Sequence, residues 1–333
     1  MFAAYAARID RDRPLNGLEL GERPAPGARS GWTTVTVRAA SLNHHDLWSL
    51  RGVGLPADRL PMILGCDAAG VDEDGNEVVV HSVIGATGHG VGPRETPSIL
   101  TERYQGTFAE QVSVPTWNVL PKPPELTFEQ AACLPTAWLT AYRMLFTNAG
   151  VRPGDSVLVQ GAGGGVATAA IALGSAAGLR VYATSRDETK RARALELGAA
   201  EVFEPGARLP RRVDAVIETV GAATWSHSVK CLRRGGTLVI SGATSGDAPA
   251  HAELTRIFFL ELKVVGSTMG SKEELEDLLS FCALTGVRPV IDEVLPLERA
   301  REGFGKLEAG SQFGKIVLTP SPAGDRRRFR DAR

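Results

Sequence analysis

Near the middle of the chain four glycines follow directly on a short apolar run, and this pattern constrains the fold more than any other. Residues 157–159 are the apolar run, which is typical of a strand buried on both faces. The glycines are Gly161, Gly163, Gly164 and Gly165. A backbone without Cβ can turn sharply and let another group approach closely. With the residues that follow, the stretch 156–198 predicts a strand, a turn, a small-residue helix, a second strand and an amphipathic helix.

The helix that follows the glycines points its free N–H groups and its positive dipole end at the loop, a geometry that binds a pyrophosphate. The loop departs from the strict dinucleotide fingerprint, because Val166 stands where a third glycine is usual. The strand before the loop and the helix after it supply the context that the fingerprint requires. We therefore predict that the four glycines and Val166 bind a dinucleotide. A tight turn with no ligand is the alternative.

The end of the second strand indicates which dinucleotide is preferred. An acidic residue here binds the ribose hydroxyls of NAD, whereas a small or basic set accepts the 2′-phosphate of NADP. The chain offers Ser185 and Arg186, with Lys190 one helical turn further and Asp187 directly behind. These residues predict binding of NADP(H) in preference to NAD(H). Ser185 also has the spacing of a capping box with Glu188, and the two roles are compatible.

Length and composition narrow the class of protein. The 333 residues suggest two domains, and 43% hydrophobic and 23% charged residues are typical of a globular protein. The formal net charge of −1 argues against a broad nucleic-acid surface. Four widely spaced cysteines predict neither a disulfide framework nor a structural zinc cluster, and they fit a reducing, cytoplasmic compartment. No run reaches the length of a membrane helix, and the N-terminus has no signal-peptide core.

The two halves of the chain differ in their patterns. Residues 1–120 are rich in short alternating runs and predict a β-rich domain, with strands at 33–39, 77–82 and 108–114. Residues 83–106 lack periodicity and indicate a surface excursion. From residue 126 helices and strands alternate, which predicts a doubly wound parallel sheet. Gly221, Gly242 and Ala243 lie at predicted strand ends, where cofactors bind.

With these residues in hand, the chain resembles the medium-chain dehydrogenase/reductase superfamily, and within it the zinc-free quinone oxidoreductase branch. The resemblance rests on ordered signatures that include LNHHDLWSLRG (42–52), PMILGCDAAGV (61–71), AACLPTAWLTAYRML (131–145) and FGKIVLTP (313–320). It implies an α/β protein with a GroES-like catalytic domain at 1–125 and 268–333 and a Rossmann domain at 126–267. It also implies a homodimer that pairs through a Rossmann edge strand near 239–241 or 264–267.

The resemblance also bears on zinc. Alcohol dehydrogenases of this superfamily hold a catalytic zinc at positions where this chain has Asn43, Cys66 and Thr136. Amide and hydroxyl groups are poor zinc ligands beside thiolate or imidazole, so we predict no zinc. An irregular site built from His44, His45, Cys66 and Asp67 is the alternative.

Without zinc, hydrogen-bond donors must stabilise the charge that develops on the substrate. By resemblance, Asn43 contacts the substrate and Asp46 either shares that role or holds the loop. His45 occupies a position that often relays a proton, and its imidazole titrates near neutral pH. His44 and Thr140 occupy positions that approach the cofactor in relatives. For both His44 and His45 the alternative is an ordinary loop histidine held by backbone contacts, and for Thr140 it is a helix threonine bonded back to a carbonyl.

These observations predict an NADPH-dependent oxidoreductase that passes hydride to a quinone or an α,β-unsaturated carbonyl. Two alternatives remain open. One is an alcohol dehydrogenase with the irregular metal site. The other is a cofactor-binding regulatory protein with little turnover, whose sequence support is the basic tail at 321–333.

Overall fold

The structure, a computed structural model, describes residues 1–92 and 95–321, and the chain divides into two compact units. The first unit combines residues 1–136, 270–284 and the described part of 291–333; the second combines 137–269 and 285–290. The chain therefore leaves the first unit and later returns to it. The domain boundaries predicted from the sequence, 125/126 and 267/268, stay a prediction. The basic tail lies outside the described residues from 322 onward.

Short strands make up most of the first unit. Numbered along the whole chain, its strands are β1 (Phe2–Ala6), β2 (Leu18–Glu22), β3 (Trp32–Ser41), β4 (Met62–Ile63), β5 (Asp67–Val71), β6 (Glu77–Val80), β7 (Val83–Ile84), β8 (Ser98–Ile99), β9 (Gln111–Pro115), β10 (Val119–Pro121), β17 (Ile291–Pro296) and β18 (Lys315–Thr319). Its helices are α1 (His44–Leu50), α2 (Phe128–Ala131), α8 (Lys272–Thr285) and α9 (Ala300–Glu308).

Three sheets cover the core of the first unit. The strand order is β10-β6-β5-β3-β18-β17 in the largest sheet, with β9 paired to β3, and β2-β1-β4 and β7-β8 form the other two. Phe108 and Phe304 meet edge to face at 5.9 Å in the core. The strand predicted at 108–114 begins only at Gln111, because the N–H and C=O of Phe108 bind Leu64 and Ala4 instead.

The second unit is a parallel sheet with helices between its strands. Its strands are β11 (Ser156–Val159), β12 (Arg180–Thr184), β13 (Glu201–Phe203), β14 (Val213–Glu218), β15 (Leu232–Ile240) and β16 (Lys263–Gly266). Its helices are α3 (Leu139–Tyr142), α4 (Gly165–Ala176), α5 (Glu188–Glu196), α6 (Trp225–Cys231) and α7 (Leu254–Phe259), and π-helical turns at Leu134–Trp138 and Arg143–Asn148 flank α3.

The strand order β13-β12-β11-β14-β15-β16 is that of a doubly wound sheet, and every pairing in it is parallel. The order reverses at β11, so ligand-binding loops are expected where β11 and β14 end. The structure corrects one of the two predicted edge segments. Residues 239–241 fall at the end of β15, which has β16 beside it, whereas β16 itself lies at the edge.

The α/β prediction, with a GroES-like β-rich part and a Rossmann part, is confirmed. Within the described ranges, no helix has both the length and the apolar character that crossing a membrane requires.

Candidate active site

A buried ionic cluster forms where β3 ends. Lys315 is 2% exposed, and its ammonium group donates to Leu42 O at 2.7 Å, to Asn43 Oδ1 at 2.5 Å and to Asp67 Oδ2 at 3.2 Å. Asp67 is fully buried, and the same Oδ2 accepts from Ser41 Oγ and Asn43 Nδ2, both at 2.8 Å. Each N–H of the lysine thus has an acceptor, which a buried charge requires.

Strand register brings these residues together. Ser41 is opposite Asp67 in the β3–β5 pair and opposite Val317 in the β3–β18 pair. Lys315 begins β18, so its side chain reaches the end of β3. We did not predict Lys315 as a site residue, although a lone lysine in the apolar run KIVL was a usable signal.

Both ends of the Asn43 side-chain amide form hydrogen bonds within the protein. It is 7% exposed; its Nδ2 donates to Ser41 O at 3.3 Å as well as to Asp67, and its Oδ1 accepts from Lys315. Both amide hydrogens are therefore in use, and this geometry favours a structural task over substrate contact. The predicted catalytic role of Asn43 stays a prediction.

Asp46 ties two turns together. Its carboxylate accepts from the backbone N–H of Asn43 at 2.8 Å and of Gly65 at 3.2 Å. Complete burial raises the pKa of Asp46 to about 7, against the lowering effect of these two hydrogen bonds. Gly65 has a φ of 96°, and a Cβ there would lie 2.5 Å from Phe108 and Thr107. The geometry gives Asp46 the loop-holding role that was one of its two predicted roles.

His44 and His45 begin α1 but face different surroundings. His44 is exposed. His45 is half-buried; its Nε2 lies 3.0 Å from Thr101 Oγ1 and 3.5 Å from Ser49 Oγ. Burial lowers the pKa of His45, so its ring is neutral at pH 7. His45 is thus held by hydroxyl groups, not by the backbone contacts that an ordinary loop histidine was expected to make.

The residues at the zinc positions do not fit a catalytic zinc. Cys66 is completely buried, its thiol donates to Leu100 O at 3.4 Å, and burial raises its pKa well above the usual value. Thr136 Oγ1 lies 3.3 Å from Ser82 Oγ. Asp67 Oδ1 has no hydrogen-bond partner among the described residues, but the Lys315 ammonium on Oδ2 would repel a divalent cation. In the described ranges no group of three or more His, Cys, Asp or Glu side chains could hold a metal ion.

The glycine loop in the second unit has the geometry of a pyrophosphate cradle. Gly161 has a φ of 82°, Gly164 is the N-cap residue of α4, and the helix starts at Gly165 despite Val166. The first N–H groups of α4 have no acceptor within the helix. Added at Gly164, a Cβ would meet no heavy atom within 4 Å, so a ligand can approach the backbone there.

Lys190 lies over this loop. A Cβ added at Gly163 would be 2.7 Å from Lys190 Cδ and 3.0 Å from its Nζ. The side chain thus runs from α5 back to the loop and places a cation beside the cradle. A phosphate in the cradle would find both backbone N–H groups and this ammonium.

The end of β12 has Asp187 as a nearby carboxylate. Asp187 caps α5, and its Oδ1 accepts from Lys190 N at 3.1 Å. The predicted capping box at Ser185 is therefore wrong: Ser185 Oγ instead accepts from Asp187 N at 3.1 Å, because the helix starts later than predicted. Arg186 is exposed and forms no hydrogen bond or ion pair with any residue in the described ranges.

A buried polar network that we did not predict joins the loops after β11, β12 and β14. Gly161 N donates to Thr184 Oγ1 at 3.2 Å, and Thr184 donates to Gln160 Oε1 at 2.8 Å. Gln160 Nε2 donates to Ser228 Oγ at 2.9 Å, and Ser228 donates to Glu218 at 2.6 Å. The network fixes the glycine loop relative to the end of β14.

The turn after β14 continues this arrangement. Glu218 Oε1 accepts from Gly221 N at 3.0 Å, and Gly221 has a φ of 93°. Its added Cβ would be 2.5 Å from Gly246 O and 2.8 Å from Ala243 Cα, so only glycine fits. Gly242, in the turn after β15, lies beside Thr219 of this turn. The predicted cofactor residues of these two loops therefore come together in the structure.

Thr140 and two aromatic residues complete the comparison. Thr140 is 5% exposed, and its hydroxyl makes no hydrogen bond to a residue in the described ranges, so the back-bonding alternative is wrong. Trp138 and Phe108 are both fully buried. They are core residues. The glycine cradle fits the pyrophosphate of a nicotinamide adenine dinucleotide.

Comparison with known proteins agrees with this two-part arrangement. The alcohol dehydrogenase GroES-like domain family matches residues 29–124, and the zinc-binding dehydrogenase family matches residues 165–283. The chain is 29% identical over 328 residues to an acryloyl-coenzyme A reductase of Sulfurisphaera tokodaii, covering 92% of this chain and 98% of that protein.

Two solved structures are similar over nearly the whole chain. A NAD-dependent alcohol dehydrogenase is 36% identical, with a TM-score of 0.88, and the match covers 96% of this chain and 100% of the other. A 2-octenoyl-CoA carboxylase reductase, CinF, in complex with NADP and 2-octenoyl-CoA, is 27% identical, with a TM-score of 0.87, covering 96% of this chain and 87% of that one.

The fold, the glycine cradle and the similarity to known oxidoreductases together define a two-domain nicotinamide-dependent dehydrogenase, that is, an NAD(P)H-dependent oxidoreductase. More closely, the chain belongs to the medium-chain dehydrogenase/reductase superfamily, the zinc-type alcohol dehydrogenase-like proteins.

Proposed function

We propose that this protein reduces an α,β-unsaturated carbonyl compound with NADPH and without zinc. The observation that carries the proposal is the donor set at the zinc positions. Asn43, Cys66 and Thr136 have hydrogen-bond partners within the protein, and the neighbouring carboxylate of Asp67 is neutralised by Lys315. Polarisation of a simple ketone or alcohol oxygen by a metal therefore has no support from these side chains.

A conjugated acceptor suits such a site, because conjugation itself activates the substrate. Bound NADPH supplies a hydride, which the acceptor takes at its β-carbon while the electron pair moves to the carbonyl. The acceptor then needs one proton, and we assign its delivery to His45. Burial lowers the pKa of His45, so the ring is neutral at pH 7 and its N–H can donate a hydrogen bond to the enolate-like oxygen, through which a proton from water reaches the acceptor.

The preference for NADPH is supported by the β12 end. Arg186 is exposed, Lys190 lies over the cradle, and Asp187 is occupied as the cap of α5. The Asp187 carboxylate is engaged through Oδ1 at the start of α5, whereas the exposed Arg186 offers a cation that has no partner in the described ranges for a 2′-phosphate.

The acceptor class is supported by the names of two relatives, the acryloyl-coenzyme A reductase and the reductase bound to 2-octenoyl-CoA. We therefore place α,β-unsaturated thioesters first among acceptors. Enones and quinones, the other conjugated carbonyls predicted from the sequence, come next.

Binding titrations test the cofactor assignment. Arg186→Ala should weaken NADPH binding roughly 10-fold and leave NADH binding unchanged, since it removes a charge-assisted contact to the 2′-phosphate. Lys190→Ala should weaken the binding of both cofactors, because its ammonium lies beside the cradle for the pyrophosphate that they share. Arg211→Ala is the matched control, because Arg211 is also exposed but precedes β14, at the amino end of the parallel strands and away from the end of β12. Equal losses for NADPH and NADH in Arg186→Ala would contradict the 2′-phosphate assignment.

An alcohol dehydrogenase is the second candidate, favoured by the 36% identical NAD-dependent relative. Metal analysis separates the two candidates. One stoichiometric zinc per chain, with alcohol oxidation that chelators abolish, would favour this candidate over the conjugated-carbonyl reductase.

We also propose a homodimer that pairs through β16. This strand lies at the sheet edge, and Val264 together with Leu254, Phe258 and Phe259 of α7 exposes apolar surface beside it. Sedimentation equilibrium should find a dimer that Phe258→Glu weakens; a monomeric wild type would contradict the proposal.

A further inference from the structure

Thr101 adopts a backbone conformation that its side chain disfavours. Its φ is 84°, in the left-handed region where a β-branched residue is strained, and it is completely buried. The prediction of a surface excursion over 83–106 is therefore wrong at this residue. A hydrogen bond from Thr101 N to Tyr104 O, at 2.9 Å, holds the turn. Glycine would adopt this backbone conformation without strain, so we expect the threonine side chain to have a role of its own.

The Thr101 hydroxyl lies among polar groups of α1. Its Oγ1 is 3.0 Å from His45 Nε2 and 3.4 Å from Ser49 Oγ, which itself lies 3.5 Å from the same Nε2. Two hydroxyls thus fix one nitrogen of the imidazole ring. The other nitrogen, Nδ1, has no hydrogen-bond partner in the described ranges and is not among the enclosed unpartnered atoms, so it remains accessible.

This arrangement matters because a histidine ring can rotate about its last side-chain bond between two broad, nearly equivalent orientations. A half-turn would exchange Nδ1 with Cδ2 and Nε2 with Cε1, so a carbon would take the outward position. The hydroxyl contact at 3.0 Å selects the orientation in which Nδ1 faces outward. Ser49 of α1 adds only a longer contact of 3.5 Å to the same Nε2.

We propose that Thr101 is a positioning residue for His45, retained at the cost of backbone strain because its hydroxyl aims the accessible nitrogen of that ring. The proposal rests on the proposed function, in which His45 supplies the proton. Thr101 touches neither substrate nor cofactor in this account; it acts through His45.

Three substitutions separate the hydroxyl from the backbone. Thr101→Val removes the hydroxyl and keeps the branched shape, Thr101→Ser keeps the hydroxyl, and Thr101→Gly relieves the strain and removes the hydroxyl. With NADPH and an α,β-unsaturated thioester, we expect Thr101→Val and Thr101→Gly to lower kcat roughly 10-fold and to leave KM unchanged. This loss is part of the roughly 10²–10⁴-fold that a general acid typically contributes to the rate. Thr101→Ser should retain wild-type kcat.

A double-mutant comparison tests whether the effect passes through His45. In a His45→Gln background, Thr101→Val should lower kcat no further. An equal further loss would overturn the proposal, as would wild-type kcat in Thr101→Val. If His45→Gln itself turns over like the wild type, the proton-donor assignment is wrong and the positioning role is overturned with it.

A spectroscopic readout keeps the test independent of turnover. In ¹⁵N–¹H correlation spectra of the imidazole groups at pH 7.5, His45 should show one tautomer in the wild type and in Thr101→Ser, and a mixture in Thr101→Val. If the protein reduces no acceptor, the proposed function fails while this spectrum still decides the contact: unchanged His45 signals in Thr101→Val would overturn it.

Discussion

Replacing Lys315 by methionine tests the buried cluster most severely. Lys315 and Asp67 are 2% and 0% exposed, and the lysine forms three hydrogen bonds, one of them within an ion pair of 3.2 Å. Lys315→Met keeps the length of the side chain and leaves the Asp67 carboxylate buried with no cation. Loss of one partner from such a pair costs about 3–5 kcal/mol, which lowers the Tm of the first unit by roughly 6–20 °C.

Thermal unfolding followed by tryptophan fluorescence measures the change. Lys272→Met is the matched control in the same unit: its ion pair with Glu276 spans 3.9 Å between partners that are 28% and 55% exposed, so the shift should stay within about 2 °C. In the double variant Asp67→Asn, Lys315→Met a neutral amide replaces the unpaired carboxylate, which should recover part of the lost stability. A Tm for Lys315→Met within 2 °C of the wild type would refute the reasoning.

Two further predictions concern Asp46 and Gly221. The folded-state pKa of Asp46 is about 7, against 3.8 for the free group, so between these pH values the folded protein binds a proton that the unfolded chain does not. Relative to Asp46→Asn, the free energy of unfolding of the wild type, measured by urea denaturation, should fall by about 1.4 kcal/mol per pH unit as the pH rises from 4 to 7. A pH-independent difference between the two proteins would contradict this. Gly221→Ala should lower the free energy of unfolding by about 2–4 kcal/mol and weaken NADPH binding, because its Cβ would meet Gly246 O at 2.5 Å. Gly206→Ala is the control: its φ is 84° but no heavy atom lies within 4 Å of the added Cβ, so it should cost only about 1 kcal/mol. Equal costs for the two variants would contradict the steric argument.

The sequence predicted the second unit well because its signals are local. Apolar runs, glycine turns and small-residue helices alternate over distances that one βαβ unit spans, so the order of elements follows from the pattern. Gly161 and Gly221 have the positive φ values that explain the use of glycine there. Capping was less predictable: Ser185 and Asp187 were both suitable caps, and the choice depended on where the helix began.

The first unit shows what local patterns leave out. Lys315 and Asn43 meet across 272 positions of sequence, through strand register that no local pattern specifies. The conformation of Thr101 is harder still to predict, since nothing in the run ILTERY indicates a threonine with a left-handed backbone. Asn43 illustrates the converse. Its position in the family pattern suggested substrate contact, whereas its environment supplies partners for both amide hydrogens.

The most direct test of the proposed function follows the hydride itself. EDTA-treated protein would be given NADPH carrying deuterium at the transferable position, together with an α,β-unsaturated acyl thioester, and the product analysed by mass spectrometry and NMR. The account predicts turnover without metal and one deuterium at the β-carbon of the saturated product. Turnover that requires added zinc, or deuterium found only at the carbonyl carbon of an alcohol product, would contradict it.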